Sequence, residues 1–249
     1  FGFAISFFMA IIILLKGQLK TIFFSYEKKI TEKSNKMIKK WFSFGAPLSI
    51  WFAAGLSLSF LDRYYINYYL SNDELGMYAG LQELLTRSFS LTLFPFTMAL
   101  HPRIMKLWNT SKLNEAIKLI MKSITTIFCL GILIILIAWI YNDLIFIGIQ
   151  TVIPVFNNES KSLIIPLLSA GFLWQLSLLT HKMLELNEQT KLMIFAIIPS
   201  LIINVIGNKL FLPHFGGIAT AYTAFFSALI YFFITSIHCV YSIYKVKTS

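Results

Sequence analysis

Charged side chains are scarce in this 249-residue sequence. They make up 13% of the residues, whereas hydrophobic residues make up 57%. An ordinary soluble domain carries roughly 25% charged residues. This shortage of charge argues against an ordinary soluble domain and predicts an integral membrane protein.

Residues that bind metals or carry out covalent catalysis are also few. The two cysteines, Cys129 and Cys239, both lie in apolar runs, and none of the four histidines lies at ligand spacing from a cysteine or another histidine. This pattern suggests neither a disulfide framework nor a zinc site. The sequence contains no glycine-rich phosphate loop, His-Glu-x-x-His or Gly-x-Ser-x-Gly motif. We therefore expect no catalytic residue, no metal and no cofactor, and we do not expect an enzyme.

Long apolar runs are what the sequence has instead. Runs of about 20 apolar residues predict membrane-spanning helices, and their continuity excludes a closed barrel, in which apolar residues alternate along each strand. The predicted spans are residues 1–15, which are too few for a complete crossing, and residues 46–70, 78–100, 123–141, 163–180, 192–211 and 218–240. The predicted fold class is all-α, a polytopic transmembrane helical bundle with one truncated and six complete helices.

Basic residues are unevenly distributed along a chain whose net charge is +10. They concentrate in alternate loops, above all in residues 16–40 and 101–122, which places these loops and the C-terminus in the cytoplasm. The turn at residues 71–76 then faces outside. Membrane topology requires such a distribution, and no recognition motif accompanies it. We therefore expect the lipid bilayer, and not nucleic acid, as the partner of this charge.

Four ionised residues interrupt the apolar runs of the hairpin at residues 45–103: Asp62, Arg63, Glu83 and Arg87. At 1.5 Å per residue, all four lie about 8–13 Å from the turn on two antiparallel helices, so they can meet. One interpretation is a neutral cluster that pins the helices together. The other is that Arg63 or Arg87 faces a wet cavity and binds an anionic substrate, with Asp62 and Glu83 holding the arginines in place.

Three further residues are weaker candidates for a functional role. Lys209 lies at the outer end of its span and can join the arginines, although snorkelling to the interface explains its position more simply. Pro95 and Pro199 lie inside spans, where a proline removes a backbone donor and kinks a helix. We interpret both prolines as hinge candidates.

Short motifs occur at the starts, turns and ends of these spans. They are Gly45-Ala46-Pro47-Leu48, Leu61-Asp62-Arg63-Tyr64, Leu75-Gly76-Met77-Tyr78-Ala79, Leu100-His101-Pro102-Arg103 and Pro213-His214-Phe215-Gly216-Gly217. Together they resemble, in register over nearly the whole chain, the polysaccharide and O-antigen flippases of the multidrug/oligosaccharidyl-lipid/polysaccharide exporter superfamily. His101 departs from the basic residue that the resemblance leads us to expect before Pro102.

The resemblance implies a transporter with two six-helix lobes around a central cavity. Residues 1–15 would end the helix before the second lobe, residues 16–44 would be a basic cytoplasmic linker, and residues 45–249 would be the second lobe. The implied activity is the flipping of undecaprenyl-diphosphate-linked oligosaccharide across the bacterial cytoplasmic membrane by alternating access, for surface polysaccharide or O-antigen synthesis. The implied partners are this lipid-linked glycan and the first lobe of the same protein.

Two alternatives remain. A cation or drug antiporter of the same superfamily would use a membrane carboxylate, and Asp62 or Glu83 is available. An arginine beside each of them favours the ionised form, which disfavours a proton relay. A membrane-embedded polysaccharide polymerase or glycosyltransferase would need a large external loop or a catalytic domain with acid–base residues or metal ligands, and the short loops provide neither.

Overall fold

The computed structural model describes residues 31–152 and 156–248, and all regular structure in these ranges is helical. This confirms the predicted all-α class. The helices are α1 (Thr31–Tyr69), α2 (Asn72–Asn109), α3 (Leu113–Ile140), α4 (Asn142–Val152), a 3₁₀ helix (Asn158–Leu163), α5 (Ile164–Thr180), α6 (Lys182–Leu186), α7 (Thr190–Phe215) and α8 (Gly217–Thr248). The truncated helix predicted at residues 1–15 lies outside the described residues.

Five helical segments of the described chain are long and apolar enough to cross a membrane. They are Lys36–Tyr69, Leu113–Ile140, Ser160–Leu186, Thr190–Phe215 and Gly217–Val246. Each overlaps one of the predicted complete spans, and the chain is a multi-pass membrane protein. The remaining predicted span, residues 78–100, lies in α2. This helix has 38 residues, but hydroxyl side chains and two ionised residues, Glu83 and Arg87, interrupt the apolar sequence of residues 78–100.

The chain divides into two compact units, residues 1–46 and 47–249. The sequence places its corresponding boundary between residues 44 and 45. Within the predicted linker, residues 16–44, the described residues 31–44 are helical and belong to α1. They contain neither glycine nor proline, so nothing in them ends the helix. Residues 16–30 lie outside the described part of the chain.

A capping box starts α2 directly after the turn that follows α1. The Ser71 hydroxyl accepts a hydrogen bond from the Glu74 backbone N–H at 3.2 Å, and the Glu74 carboxylate accepts one from the Ser71 backbone N–H at 3.1 Å. These bonds satisfy backbone donors that the first turn of a helix leaves unpaired. The turn brings α2 back alongside α1, so that Glu83 meets Arg63.

Helix α5 forms the centre of the second unit. Thirteen of its 17 residues are buried, and it packs against α2, α3 and α8. A helix that is apolar on all sides is buried by its neighbours, which explains its central position. At one crossing, the Phe172 ring of α5 occupies the space that a Cβ at Gly131 of α3 would fill.

The segment between α3 and α5 is more structured than the sequence indicates. Residues 142–162 lie between two predicted spans and are therefore expected to form a loop, but most of the described part forms α4 and the 3₁₀ helix. An ion pair between Asp143 and Lys161 links these two short helices. Their brevity explains the omission, because neither provides the long apolar run by which spans are recognised.

Candidate functional site

Asp62 is buried in the second unit, with 1% of its surface exposed. Its Oδ2 accepts hydrogen bonds from the Tyr78 hydroxyl at 3.3 Å and from Gln82 Nε2 at 3.2 Å. Its Oδ1 accepts hydrogen bonds from Asn204 Nδ2 at 2.8 Å and Asn208 Nδ2 at 3.0 Å. These neutral donors from α2 and α7 satisfy a carboxylate that would be costly to bury without partners. We call this arrangement the Asp62 site.

Two amide oxygens of the Asp62 site have no hydrogen-bond partner among the described residues. They are Gln82 Oε1 and Asn208 Oδ1, and both are buried. Each belongs to an amide whose nitrogen donates to Asp62. Carboxylate and amide oxygens are the ligands that hard cations prefer. The Asp62 site therefore combines an anionic group with unpaired acceptors of the type that a cation binds.

Arg63, Glu83 and Arg87 form a separate group, which we call the arginine cluster. Arg63 Nη2 lies 2.9 Å from Glu83 Oε1, and Arg87 Nε lies 2.5 Å from Glu83 Oε2. The side chain of Arg63 is 29% exposed, that of Glu83 is 45% exposed and that of Arg87 is 74% exposed. One carboxylate is shared by two guanidinium groups, so the cluster has a formal charge of +1 and its most exposed member is basic.

The structure thus divides the four charged residues of the hairpin into two sites. Glu83 contacts both arginines, as the sequence analysis expects of a supporting residue. The same expectation for Asp62 is corrected, because its described hydrogen bonds come from neutral groups and join α1 to α2 and α7. Adjacent residues on a helix point about 100° apart, so Asp62 faces the interior while Arg63 reaches the partly exposed Glu83.

The weaker candidates lie apart from these contacts. Lys209 is exposed on α7, while its neighbour Asn208 faces inward to Asp62. Within the described residues, Glu83 pairs with Arg63 and Arg87 and not with Lys209. Pro95 and Pro199 lie inside α2 and α7, which continue on both sides of them. The hinge roles of the two prolines remain predictions.

The sequence analysis missed a second polar site, at the junction of α5 and α6. Trp51 Nε1 donates to the Tyr231 hydroxyl at 2.7 Å, and this hydroxyl lies 3.3 Å from His181 Nδ1. His181 Nε2 lies 2.9 Å from Glu185 Oε1, and Lys182 Nζ donates to Glu185 Oε2 at 2.5 Å. We call these five residues the junction network. All of them except Glu185 are buried.

One local signal for the junction network was present in the sequence. His181 and Glu185 are four residues apart, the spacing of neighbours on a helix face. Residues 181–191 lie between two predicted spans and are expected to form a loop. The contact between Trp51 and Tyr231 joins residues 180 positions apart, and no local pattern predicts such a contact.

Comparisons of the chain with known protein families, with curated proteins and with solved structures find no match. Within residues 31–152 and 156–248, no group of three or more His, Cys, Asp or Glu side chains is arranged to hold a metal ion. The features of the chain that bear on its function are therefore the Asp62 site, the arginine cluster and the motifs in the sequence.

Proposed function

We propose that this chain is the second lobe of a membrane transporter that flips a lipid-linked oligosaccharide across the bacterial cytoplasmic membrane. The observation that carries the proposal is the arginine cluster, in which Arg87 is 74% exposed. An ionised side chain in a membrane helix costs a few kcal/mol and usually faces a partner or a water-filled cavity. Glu83 compensates only one of the two positive charges. The uncompensated charge fits the wall of a wet cavity.

The chemistry of the arginine cluster fits an anionic substrate. A guanidinium presents its donors in a planar fork that matches phosphate oxygens. Glu83 holds Arg63 and Arg87 beside one another, which prepares two such groups for one diphosphate. The motif resemblance supports undecaprenyl-diphosphate-linked oligosaccharide as the substrate. The diphosphate and glycan would enter the cavity, while the lipid tail would stay in the bilayer.

The proposed cycle is alternating access between two lobes. A cavity between the first lobe of the same protein and the helices described here would open to the cytoplasm, bind the lipid-linked glycan and reopen to the outer leaflet. Parallel repeats with the substrate between them are an established plan of transporters. In this proposal the C-terminus is cytoplasmic, the chain has no catalytic residues, and the product serves surface polysaccharide or O-antigen synthesis.

Complementation tests this proposal. The full-length gene is expressed in a strain that lacks its own flippase, and surface polysaccharide is measured. We expect wild type to restore export. We expect Arg63→Ala and Arg87→Ala each to lower export about tenfold, because each loses a charge-assisted contact worth about 1.4 kcal/mol or more. The free energy of unfolding should change by less than about 1 kcal/mol in Arg87→Ala, since exposed ion pairs contribute little.

Lys118→Ala is the control, because it removes an exposed positive charge on α3, away from the arginine cluster. Its export should equal that of wild type. A wild-type protein that is inserted and stable but restores no polysaccharide contradicts the flippase. Normal export in both arginine variants contradicts the role of the arginine cluster in substrate binding.

A cation-driven antiporter is the second candidate, and the Asp62 site favours it. The arginine next to Asp62 in the sequence contacts Glu83 instead, so the objection that an arginine holds this carboxylate ionised loses its force. In purified protein in liposomes, an antiporter would export a cationic drug when a sodium or proton gradient is applied. Asp62→Asn would abolish this transport. Gradient-driven drug transport by a protein that restores no polysaccharide would favour the antiporter over the flippase.

A further inference from the structure

The junction network has a defined direction of hydrogen bonding. The indole of Trp51 and the ammonium of Lys182 only donate, and an ionised Glu185 only accepts. His181 Nε2, 2.9 Å from Glu185 Oε1, therefore carries the hydrogen of that bond. His181 Nδ1 is then an acceptor for the Tyr231 hydroxyl. When His181 is neutral, each polar hydrogen along this path has one acceptor.

A proton on His181 Nδ1 disrupts this order. Both nitrogens of an imidazolium are donors, so Nδ1 then donates to the Tyr231 oxygen, which already accepts from Trp51. The hydroxyl hydrogen of Tyr231 loses its acceptor. Tyr231 is fully buried, and an unpaired buried donor is costly. The hydroxyl group must move to find another acceptor.

A movement of the Tyr231 hydroxyl affects the contacts between α1, α8 and the junction of α5 and α6. Trp51 lies on α1, Tyr231 on α8 and His181 at the junction of α5 and α6. The Trp51 ring also meets the His181 ring edge-on, with centroids 4.7 Å apart. Reversal of the Tyr231 bond therefore weakens the link that holds α1 and α8 to this junction. A hydrogen bond between Thr180 and Thr235, 2.7 Å long, also joins α5 to α8 but contains no titratable group.

Several charged or titratable groups lie in or beside the junction network. Lys182 and Glu185 lie on α6, Tyr231 lies on α8, and His101 of α2 is close enough for Lys182 and Glu185 to act on its charge. The Lys182 and Glu185 charges balance one another, so the site is neutral with a neutral His181 and carries +1 with one proton. Imidazole can take up and release a proton, and it is the titratable group on which the order of these hydrogen bonds depends.

We propose that His181 is a proton-binding site, and that one proton at its Nδ1 reverses the Tyr231 hydrogen bond and weakens the link of α1 and α8 to the junction of α5 and α6. The ligand of this site is the proton itself. The local switch stands independently of the transported substrate. Its role as a proton-coupled step of transport rests on the function proposed above.

Fluorescence of Trp51 measures proton binding directly, because its ring contacts His181. The full chain is reconstituted in nanodiscs with the other four tryptophans, Trp41, Trp108, Trp139 and Trp174, replaced by phenylalanine. Emission is recorded over about pH 4–9, and we expect the Trp51 emission to change sigmoidally with pH. The change should be lost in His181→Gln and in His181→Asn, two variants that keep a polar group towards Glu185 or Tyr231. It should persist in His214→Gln, which removes an exposed histidine of α7.

Several results would overturn the site. These are a wild-type emission that does not change with pH, a change that persists in either His181 variant, or a change that His214→Gln also removes. Each His181 variant is checked for a monodisperse elution profile before use, so that a misfolded variant is recognised and the other variant still tests the site.

A second measurement tests the coupling. Glycan flipping is followed in liposomes over the same pH range. We expect a pH-dependent rate in wild type and in Thr235→Val, and a rate that no longer changes with pH in His181→Asn and Tyr231→Phe. A pH-independent wild-type rate would contradict the coupling while leaving the proton site in place. The absence of any flipping would contradict the proposed function and leave the emission result unaffected.

Discussion

A carboxylate can be buried in a protein only when hydrogen-bond donors compensate for the loss of water, and four neutral donors do so for Asp62. Asp62 receives hydrogen bonds from residues on two other helices. It therefore joins α1 to α2 and α7 through polar contacts in an otherwise apolar interior. The arginine cluster differs, since its members are partly exposed and its ion pairs contribute little to stability. The two sites should respond differently to substitution.

Asp62→Ala should destabilise the protein strongly. It leaves the donors of Tyr78, Gln82, Asn204 and Asn208 without this acceptor, and we expect the free energy of unfolding to fall by about 3 kcal/mol or more. Thermal unfolding of the purified protein in detergent, monitored by fluorescence, measures the change. The matched control is Asp73→Ala, which removes an exposed carboxylate from the first turn of α2.

Asp73 lies in the first turn of α2, at the positive end of the helix dipole, where a carboxylate contributes about 0.3–1 kcal/mol. The control should therefore unfold close to the wild-type temperature. If Asp62→Ala and Asp73→Ala are equally stable, the hydrogen bonds of the Asp62 site do not contribute as described. Such a result would mean that Asp62 is not needed for the stability of the protein.

At the scale of the helices, the packing of the second unit depends on how closely the neighbouring helices approach α5. The central helix is buried on nearly all sides, so neighbouring helices must fit its surface. Gly131 gives α3 room for the Phe172 ring, with which a Cβ at position 131 would overlap. Interiors are close-packed, and small additions to a filled space force side chains or backbone to shift.

Gly131→Ala should lower the free energy of unfolding by about 1–3 kcal/mol, because the added methyl group has no space beside Phe172. Gly148→Ala is its control. Gly148 also lies within a helix, α4, and an added Cβ there meets nothing within 4 Å. The control should be neutral or stabilise by up to about 1 kcal/mol, since alanine is the better helix former. Chemical or thermal unfolding of both variants in the same detergent compares them.

Equal behaviour of the two alanine variants would contradict the packing of α3 on α5. A lower stability of Gly148→Ala alone would place the tight helix contact at α4 instead. Neither unfolding measurement requires the transported substrate to be known.

Helix α2 has one face that packs inside the protein and another that carries exposed charged residues. It is long enough to cross a membrane, but its polar residues make it less apolar than the five segments that are apolar enough to do so. One of its faces packs on α5 and α3, while Glu83 and Arg87 lie on an exposed part of its surface. A helix with these two faces suits the wall between a protein core and a wet cavity, as the proposed function requires.

At the scale of the whole molecule, the distribution of lysine and arginine predicts the orientation in the membrane. The prediction is tested with single cysteines in a Cys129→Ala, Cys239→Ala background. Asp73→Cys, next to the turn between α1 and α2, should react with a membrane-impermeant maleimide in intact cells. Lys118→Cys, on the proposed cytoplasmic side, should react only after the cells are permeabilised. The opposite labelling pattern would invert the proposed topology and with it the direction of transport.

The sequence by itself determined the helical class and the approximate positions of the spans. These follow from runs of apolar residues, a local property that the bilayer thickness converts into helix length. It also identified Glu83 and Arg87 as a pair, because their spacing of four residues places them on one helix face. It did not indicate that residues 31–44 and 142–152 are helical, because no long apolar run marks either segment.

Only the tertiary structure decided what the interior charges contact. Asp62 binds Asn204 and Asn208, which lie 142 and 146 positions away in the chain. The adjacent Arg63 points elsewhere, and which of the two faces the interior depends on how α2 and α7 pack around α1. The junction network likewise joins α1, α5, α6 and α8 through contacts between distant residues. Local periodicity specifies the face of a helix, but only packing against the other helices specifies its partners.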